Sequence, residues 1–280
     1  MSGVPTGALR RTDAAGVATI TFDHPPINLL ERPLILAMGE LVAALEADAQ
    51  TKVVVFRSAN PDYFVNHYDI SGRSSDLPPD AHVPALFRRI ARLPQITLGE
   101  IRGRTRGAGS ELALALDMRF AAIENAIFGQ PEVGLGLHPG AGATQRLPEL
   151  VGRGRALEIM LSGDDFDAQT AERFGWIYRA LPDADLSMFV DRLAQRIASF
   201  PTLALRNIKE LVNLASLPTD NRLTDETQRF VQALREPETG ARIRWLFANG
   251  AQTDGPLERD LGTRLSDIPT NFPQGSPKEN

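Results

Sequence analysis

The sequence predicts an α/β protein, and three observations support this fold class. Strand-like apolar runs alternate with helix-like apolar stripes as far as about residue 180. Beyond that point the apolar residues recur only at helical spacing, which predicts a helical C-terminal region. The chain has 280 residues, of which 42% are hydrophobic, so it can bury a sizeable core without disulfide or metal staples.

The first elements are predicted from residue type and spacing. Residues 16–22 alternate and are rich in β-branched side chains, which predicts a strand. Pro33 can occupy the start of a helix whose apolar residues recur at helical spacing up to Leu45. Residues 52–58 form a continuous apolar run, which predicts a buried strand. Residues 59–83 are polar and rich in proline, so they predict a long irregular connection.

The middle of the chain contains one ambiguous segment. Residues 107–116 fit either a strand or a buried helix, and a serine and a glutamate that directly follow glycines favour a helix start. The elements around this segment are a short helix over 84–92 and strands over 95–103, 117–123 and 126–130.

The last third is predicted to be helical. Apolar stripes predict helices over 186–197 and 202–216, and a third helical segment over 223–250 is interrupted near Pro237. The apolar side chains of this third segment are plentiful enough to cover the core or to meet another subunit. About 25 residues remain at the C-terminus, and their prolines and glycines predict a segment that wraps the surface or frays.

Composition excludes several classes of protein. The chain has no cysteine, which excludes disulfides, a thiolate nucleophile and cysteine-ligated metals, and which fits a reducing compartment. The N-terminus has no apolar signal core, and no apolar run approaches the length of a membrane span, so we expect a cytoplasmic protein without a membrane partner. The net charge of −5 gives no indication of a nucleic-acid surface.

Common catalytic motifs are absent. The segment GAGATQ lacks the Gly-Lys-Ser/Thr of a P-loop, and GAGSEL lacks the third glycine of a dinucleotide fingerprint. No G-x-S-x-G elbow is present, and the four histidines have no metal-ligand spacing. The sequence therefore predicts no metal site.

Two glycine-flanked acids remain as candidates for chemistry. Glu111 follows RGAGS, and Glu132 follows FGQP. A helix, a reversal and two short strands fit between them, so the two carboxyls could face each other and share acid and base roles. Each acid also has a plain structural interpretation. Glu111 could complement the positive end of a helix, and Glu132 could be an ordinary turn acid.

At these residues the sequence resembles the enoyl-CoA hydratase/isomerase (crotonase) superfamily. The family's central signature matches residues 106–182 almost without a gap, and the resemblance extends over about 14–216. It implies a spiral of ββα units over 1–200, and a helical region over 201–280 that forms homotrimers, often paired as hexamers. It also implies an acyl-CoA thioester substrate and no metal or redox cofactor, since coenzyme A is part of the substrate.

The resemblance also implies roles for individual residues. Glu111 takes the place of the acid that activates water for attack at C3, and Glu132 that of the acid that protonates C2. The backbone N–H groups of Tyr68 and Ala108 take the place of the oxyanion hole. The implied substrate contacts are His67, Gly107, Pro131 and Gly140.

This sequence departs from the family pattern at the first oxyanion motif. His67 and Tyr68 stand where the family usually has small residues before Asp69, which we interpret as a loop-capping acid. A 2-enoyl-CoA hydratase is the leading hypothesis. The alternatives are another enolate-stabilised reaction (double-bond isomerisation, thioester hydrolysis or C–C cleavage) and a non-catalytic protein that binds coenzyme A.

Overall fold

Ten strands form two sheets in the computed structural model, which describes residues 7–72 and 76–272. The larger sheet contains, in spatial order, β1 (Leu9–Ala14), β2 (Val17–Phe22), β3 (Val53–Ser58), β5 (Ile96–Ile101), β7 (Met118–Ala122) and β10 (Arg179–Leu181). The smaller sheet contains β4 (Tyr63–Val65), β6 (Arg104–Arg106), β8 (Ile127–Gly129) and β9 (Asp165–Asp167). Neighbouring strands are parallel, except for the antiparallel pairs β1–β2 and β8–β9.

Helices connect the strands and form the C-terminal region. They are α1 (Arg32–Glu46), α2 (Val83–Ala91), α3 (Ala108–Ala115), α4 (Ala143–Val151), α5 (Arg153–Ser162), α6 (Ala168–Phe174), α7 (Asp183–Ala198), α8 (Thr202–Ser216), α9 (Asp220–Ala233), α10 (Pro237–Ala248), α11 (Pro256–Arg259) and α12 (Leu261–Arg264). Across the described parts of the chain, none of these helices combines the length and apolar character needed to cross a bilayer.

The chain repeats one unit three times: a strand in the larger sheet, a short strand in the smaller sheet, and a helix. The units are β3-β4-α2, β5-β6-α3 and β7-β8-α4. This order confirms the predicted α/β fold of ββα units. The end of each short strand therefore leads towards the helix of its own unit, and the three such ends lie side by side in the smaller sheet.

The start of α3 lies directly against the end of β4. A Cβ on Gly109 would come within 1.8 Å of the Val65 carbonyl oxygen, so only glycine fits at this contact. The ambiguous segment 107–116 is thus a helix, and every residue of α3 is buried. The apolar run LALAL at the end of this segment belongs to a helix that is buried on all sides, and not to a strand.

Most sequence predictions of elements are confirmed, and two are corrected. Residues 59–83 are not wholly irregular, because they contain β4 and a 3₁₀ turn at Pro79–Ala81. Strand β4 has three residues and pairs with the next unit, so it has no local periodicity to detect. The C-terminal segment does not simply wrap the surface, because Leu257 and Leu261 in α11 and α12 are buried. Residues 273–280 lie outside the described part of the chain.

Helices α9 to α12 pack on the segment that contains Glu132. Leu135 and Leu137 form a buried cluster with side chains of α10, α11 and α12, including Leu246 and Leu257. The apolar residues of the C-terminal region therefore cover the core, as one of the two sequence interpretations proposed. The division of the chain at residue 200 stays a prediction.

Candidate active site

One cavity of about 520 Å³ brings the sequence-predicted site residues together. Its lining includes His67, Tyr68, Ala108, Glu111, Pro131, Glu132 and Gly140. Gly107, the remaining candidate, precedes α3 and lies next to this lining, because a Cβ on it would be 3.0 Å from Glu132 Oε1. All eight candidates thus belong to one place in the fold.

Glu111 lies in the first turn of α3, and its carboxylate is held by main-chain donors. Its Oε1 accepts hydrogen bonds from the N–H groups of Ala141 and Ala143, at 2.7 and 3.0 Å. Ala143 is the first residue of α4, so Glu111 complements the N-terminus of α4 rather than only that of its own helix. Glu111 is only 3% exposed, and it lines the cavity.

Glu132 lies in the 3₁₀ turn Pro131–Leu135 that follows β8. The side-chain amide of Gln130 can form hydrogen bonds with both Glu132 and Ser110. In that orientation its nitrogen donates to the two oxygens of the Glu132 carboxylate at 3.1 and 3.2 Å. The same amide accepts a hydrogen bond from Ser110 Oγ at 3.0 Å. Ser110 precedes Glu111 in α3, so hydrogen bonds from Ser110 to Gln130 and from Gln130 to Glu132 connect the start of α3 with the second acid.

The two acids share a strongly perturbed environment. Burial is the main reason that the pKa of Glu111 lies well above its ordinary value, and the negative charge of Glu132 raises it further. Burial also raises the pKa of Glu132 to about 7, although His67 opposes this rise. A third buried acid, Glu226 of α9, adds to the repulsion on both. Such a pair holds one proton between its members near neutral pH, so that one acid can donate while the other accepts.

A stability prediction follows from the raised pKa of Glu132. The folded-state pKa of about 7 lies above the ordinary 4.5, so the stability of the native protein falls as pH rises between these values. Glu132→Gln removes this penalty. Its Tm should exceed that of the native protein by roughly 5–10 °C at about pH 8, as for ~3 kcal/mol in a chain of this size, and by much less at about pH 5. Thermal melts at both pH values test this, and an equal difference at both contradicts it.

Ala108 lines the cavity at the start of α3. It is the first residue of α3, so its N–H has no acceptor within the helix. Gly107 adopts φ +51° just before it, a conformation that favours glycine. The N–H of Gly107 donates to the Gly129 carbonyl at 3.0 Å, which fixes the turn against the end of β8.

The backbone around Tyr68 is fixed by a bridge to Leu30. The N–H of Leu30 donates to the His67 carbonyl at 3.1 Å, and the N–H of Asp69 donates to the Leu30 carbonyl at 3.0 Å. The carboxylate of Asp69 accepts from the Ser71 N–H at 2.9 Å, which confirms its interpretation as a loop-capping acid.

Sequence analysis missed Glu258, which is fully buried in α11 and also lines the cavity. Its Oε1 lies 2.9 Å from His67 Nε2, although 191 residues separate the two in sequence. Glu258 lies in the segment PLERD, residues 256–260, and nothing in that segment predicts a contact with His67. Sequence analysis also missed Gln130 as the partner of Glu132, since an amide beside a proline turn is unremarkable by itself.

Apolar side chains form most of the remaining lining of the cavity, which we call its apolar wall. It is formed by Ile70, Leu77, Val83, Leu135, Leu137, Phe230, Val231, Leu234, Leu246 and Leu261. Phe230 of α9 approaches Gly140 so closely that a Cβ there would be 2.6 Å from the Phe230 Cγ. Gly140 therefore lets the aromatic ring reach the cavity. This combination of paired acids, main-chain donors and an apolar wall suits acid–base chemistry on an apolar group.

The described residues, 7–72 and 76–272, contain no group of three or more His, Asp or Glu side chains placed to hold a metal ion.

Comparisons with known proteins identify related chains. The model of the enoyl-CoA hydratase/isomerase family matches residues 12–240. The short-chain-enoyl-CoA hydratase of Clostridium acetobutylicum is 30% identical over 225 residues, which cover 76% of this chain and 84% of that protein. The crotonyl-CoA hydratase of Syntrophomonas wolfei is 33% identical over 203 residues, which cover 70% and 78%. A solved structure described as a candidate enoyl-CoA hydratase from Streptomyces avermitilis is 42% identical, with a TM-score of 0.89 and coverage of 94% and 97%.

Proposed function

Because the chain belongs to the enoyl-CoA hydratase/isomerase family, we propose that it adds water across the 2,3 double bond of a 2-enoyl-CoA thioester. The observation that carries this proposal is the pair Glu111 and Glu132, two carboxyls with raised pKa in one largely apolar cavity. Hydration needs one group to take a proton from water and another to give a proton to carbon. Two curated relatives are named as hydratases, which supports the same reaction.

In the proposed reaction Glu111 acts first, as the base. It takes a proton from a water molecule whose oxygen bonds to C3, and the π electrons move through C2 to the thioester oxygen. Glu132 then gives its proton to C2, and the electrons of the enolate return to form the new C–H bond. Glu111 ends protonated and Glu132 ionised, so one proton moving between the coupled pair restores the starting state.

The thioester oxygen carries the developing negative charge, and main-chain donors are its proposed partners. The N–H of Ala108 is placed at a helix start, where the helix dipole favours an anion. The N–H of Tyr68 is proposed as the second donor, and the Leu30 bridge fixes the backbone on both sides of it. Fixed donors need no reorganisation as the charge forms, which is why they lower the barrier.

The test is the ultraviolet absorbance of the conjugated enoyl thioester, followed over time. A panel of short, long and aromatic 2-enoyl-CoAs is incubated with the native protein and with Glu132→Gln. We expect the absorbance to fall with the native protein only, and the rates to rank the acyl groups. No fall with any member of the panel excludes simple hydration and leaves the other acyl-CoA reactions or binding without turnover.

We also propose that α8 joins copies of the chain in a homotrimer or a dimer of trimers. Lys209 is the only buried residue of α8, where it donates to Asp117 at 2.7 Å. The same helix exposes a set of large apolar side chains, Leu203, Ile208, Leu211, Val212 and Leu214, each between 57% and 85% exposed. Large apolar side chains exposed along one helix are typical of a subunit contact.

Leu211→Glu is expected to weaken the assembly, because it places a charge in the proposed contact. Light scattering after size exclusion should show a lower mass than for the native protein at the same concentration. Met188→Glu is a matched control: Met188 is 65% exposed on α7, against 67% for Leu211 on α8. A native protein that is already monomeric contradicts this proposal.

A further inference from the structure

A single side chain from the C-terminal region holds the segment that leads to Tyr68. Both oxygens of Glu258 lie near His67 Nε2, at 2.9 and 3.1 Å. Its Oε2 also accepts from Asn66 Nδ2 at 3.0 Å, and its Oε1 accepts from the main-chain N–H of Gln252 at 2.7 Å. The side chain of Gln252 in turn donates to the Tyr68 carbonyl at 3.0 Å. Three consecutive residues, 66–68, are thus bound to the C-terminal segment.

Strand β6 fixes the position of α11 itself. Arg106 donates to the main-chain oxygen of Glu258 and, at 3.2 Å, to that of Arg259. Arg104 donates to the same Arg259 oxygen at 2.8 Å. Arg106 is almost fully buried and is paired with Asp165 of β9. The smaller sheet therefore fixes the main chain at Glu258, and the side chain of Glu258 holds the 66–68 segment.

The hydrogen bonds of His67 define its charge. Its Nδ1 lies 3.2 Å from the Tyr68 carbonyl oxygen, and its Nε2 faces the Glu258 carboxylate. A carbonyl and an ionised carboxylate can only accept, so these two contacts favour a ring that carries hydrogen on both nitrogens, which is the imidazolium form. Burial opposes the charge, but the Glu258 carboxylate outweighs burial and raises the pKa of His67. Burial likewise opposes ionisation of Glu258, yet His67 and the other donors lower the pKa of Glu258 to about 2.

His67 lies beside Glu132, the proposed acid. A Cβ on Gly107 would be 3.0 Å from both the His67 Cβ and Glu132 Oε1, so the two side chains flank the same glycine. The charged groups that act on His67 are Glu258 of α11, Glu132 of the 3₁₀ turn and Arg106 of β6. Glu258 is the one of these that makes direct hydrogen bonds to the ring.

We propose that Glu258 is a positioning residue of this active site, which holds the 66–68 segment and keeps an ion-paired His67 beside Glu132 and Tyr68. The inference rests on the proposed function, since it concerns the same site. A positive charge at this point favours the ionised form that Glu132 reaches after it has given its proton to C2. The same contacts fix the backbone of the proposed first oxyanion donor, for which small displacements are costly.

The first test follows the protonation of His67 by nuclear magnetic resonance of ¹³C-labelled histidine. The chain has only four histidines, and His67→Gln assigns the signal of interest. In the native protein the His67 signal should stay that of an imidazolium over about pH 6–8, the range around an ordinary histidine pKa. In Glu258→Gln it should titrate to the neutral form within that range. A His67 signal that titrates in the native protein, or one unaffected by Glu258→Gln, overturns the proposal.

The second test measures hydration of the best enoyl-CoA. Glu258→Gln should lower kcat by about 10- to 100-fold, the cost of a small misplacement of a reacting group, with a smaller change in KM. Asp254→Asn is the matched control, because it neutralises an exposed acid of the same segment whose partner is Arg259. Its kcat should equal that of the native protein.

If Glu258→Gln does not fold, Glu258→Asp and His67→Gln replace it. Glu258→Asp retains the charge, so His67 should remain an imidazolium while kcat falls. His67→Gln retains a donor to Glu258 without the charge, and a native kcat in this variant overturns the proposal. The resonance measurement does not depend on turnover. A native protein that hydrates no enoyl-CoA therefore counts against the proposed function, whereas active variants with an unchanged His67 count against the role of Glu258 alone.

Discussion

Glu111→Gln and Glu132→Gln are each expected to lower kcat for enoyl-CoA hydration by about 10²- to 10⁴-fold, the usual contribution of a proton-transfer group. Glutamine keeps the size and an acceptor oxygen, so the main-chain bonds from Ala141 and Ala143 to residue 111 can persist. What is lost is the ability to take or give a proton. Stopped-flow or steady-state absorbance measurements with saturating substrate give kcat directly.

Glu226→Gln is the control for this pair. Glu226 is buried in the same acid cluster, but it is absent from the cavity lining and accepts from the Thr144 N–H at 3.1 Å. We expect less than about a tenfold change in kcat, because no proton transfer is assigned to it. If Glu111→Gln abolishes turnover while Glu132→Gln does not, a two-acid hydration is wrong. A reaction that needs one acid then becomes the better explanation.

Ala108→Pro is expected to lower kcat by about 10²- to 10³-fold, the effect of removing one oxyanion donor. Proline has no N–H, yet it is well tolerated at the first position of a helix, which is where Ala108 lies. The substitution therefore removes the proposed donor while α3 is retained. Circular dichroism and thermal melts establish that the fold is intact, and the absorbance assay gives the rate.

Two further variants control this experiment. Arg153→Pro places proline at the first position of α5, which also follows a glycine, and it should leave kcat unchanged. Ala108→Gly keeps the main-chain donor and should retain most of the activity. A folded Ala108→Pro protein with native kcat excludes the Ala108 N–H from the oxyanion hole.

The parts of the fold that could be predicted from sequence are those with a local pattern. Residues 16–22 predict strand β2 through their alternation and β-branched side chains, and in the structure Ala18, Ile20 and Phe22 are buried while the residues between them are half-buried. Strand β1 was not predicted, since five of its six residues are exposed or half-buried and it lies at the sheet edge. Short strands such as β4 depend on pairing between units, which no window of local sequence contains.

Some residues of the candidate site could likewise be predicted from the sequence, and others could not. Glu111 and Glu132 stood out because glycines flank both, and the family resemblance then implied that they meet. The pairing of His67 with Glu258 could not be predicted, because it joins residues 191 positions apart and no sequence pattern marks Glu258. The resemblance did not help there, since His67 is itself a departure from the family pattern.

The apolar wall of the cavity has a consequence for how this enzyme could change. The proposed proton-transfer groups and main-chain donors belong to residues 68–132, whereas Phe230, Val231, Leu234 and Leu246 come from α9 and α10. Substitutions in α9 and α10 can therefore change the preference for the acyl group without changing the proposed catalytic residues. A chimera that carries these helices from a relative should exchange acyl selectivity, provided that the native α11 with Glu258 is retained to hold the 66–68 segment.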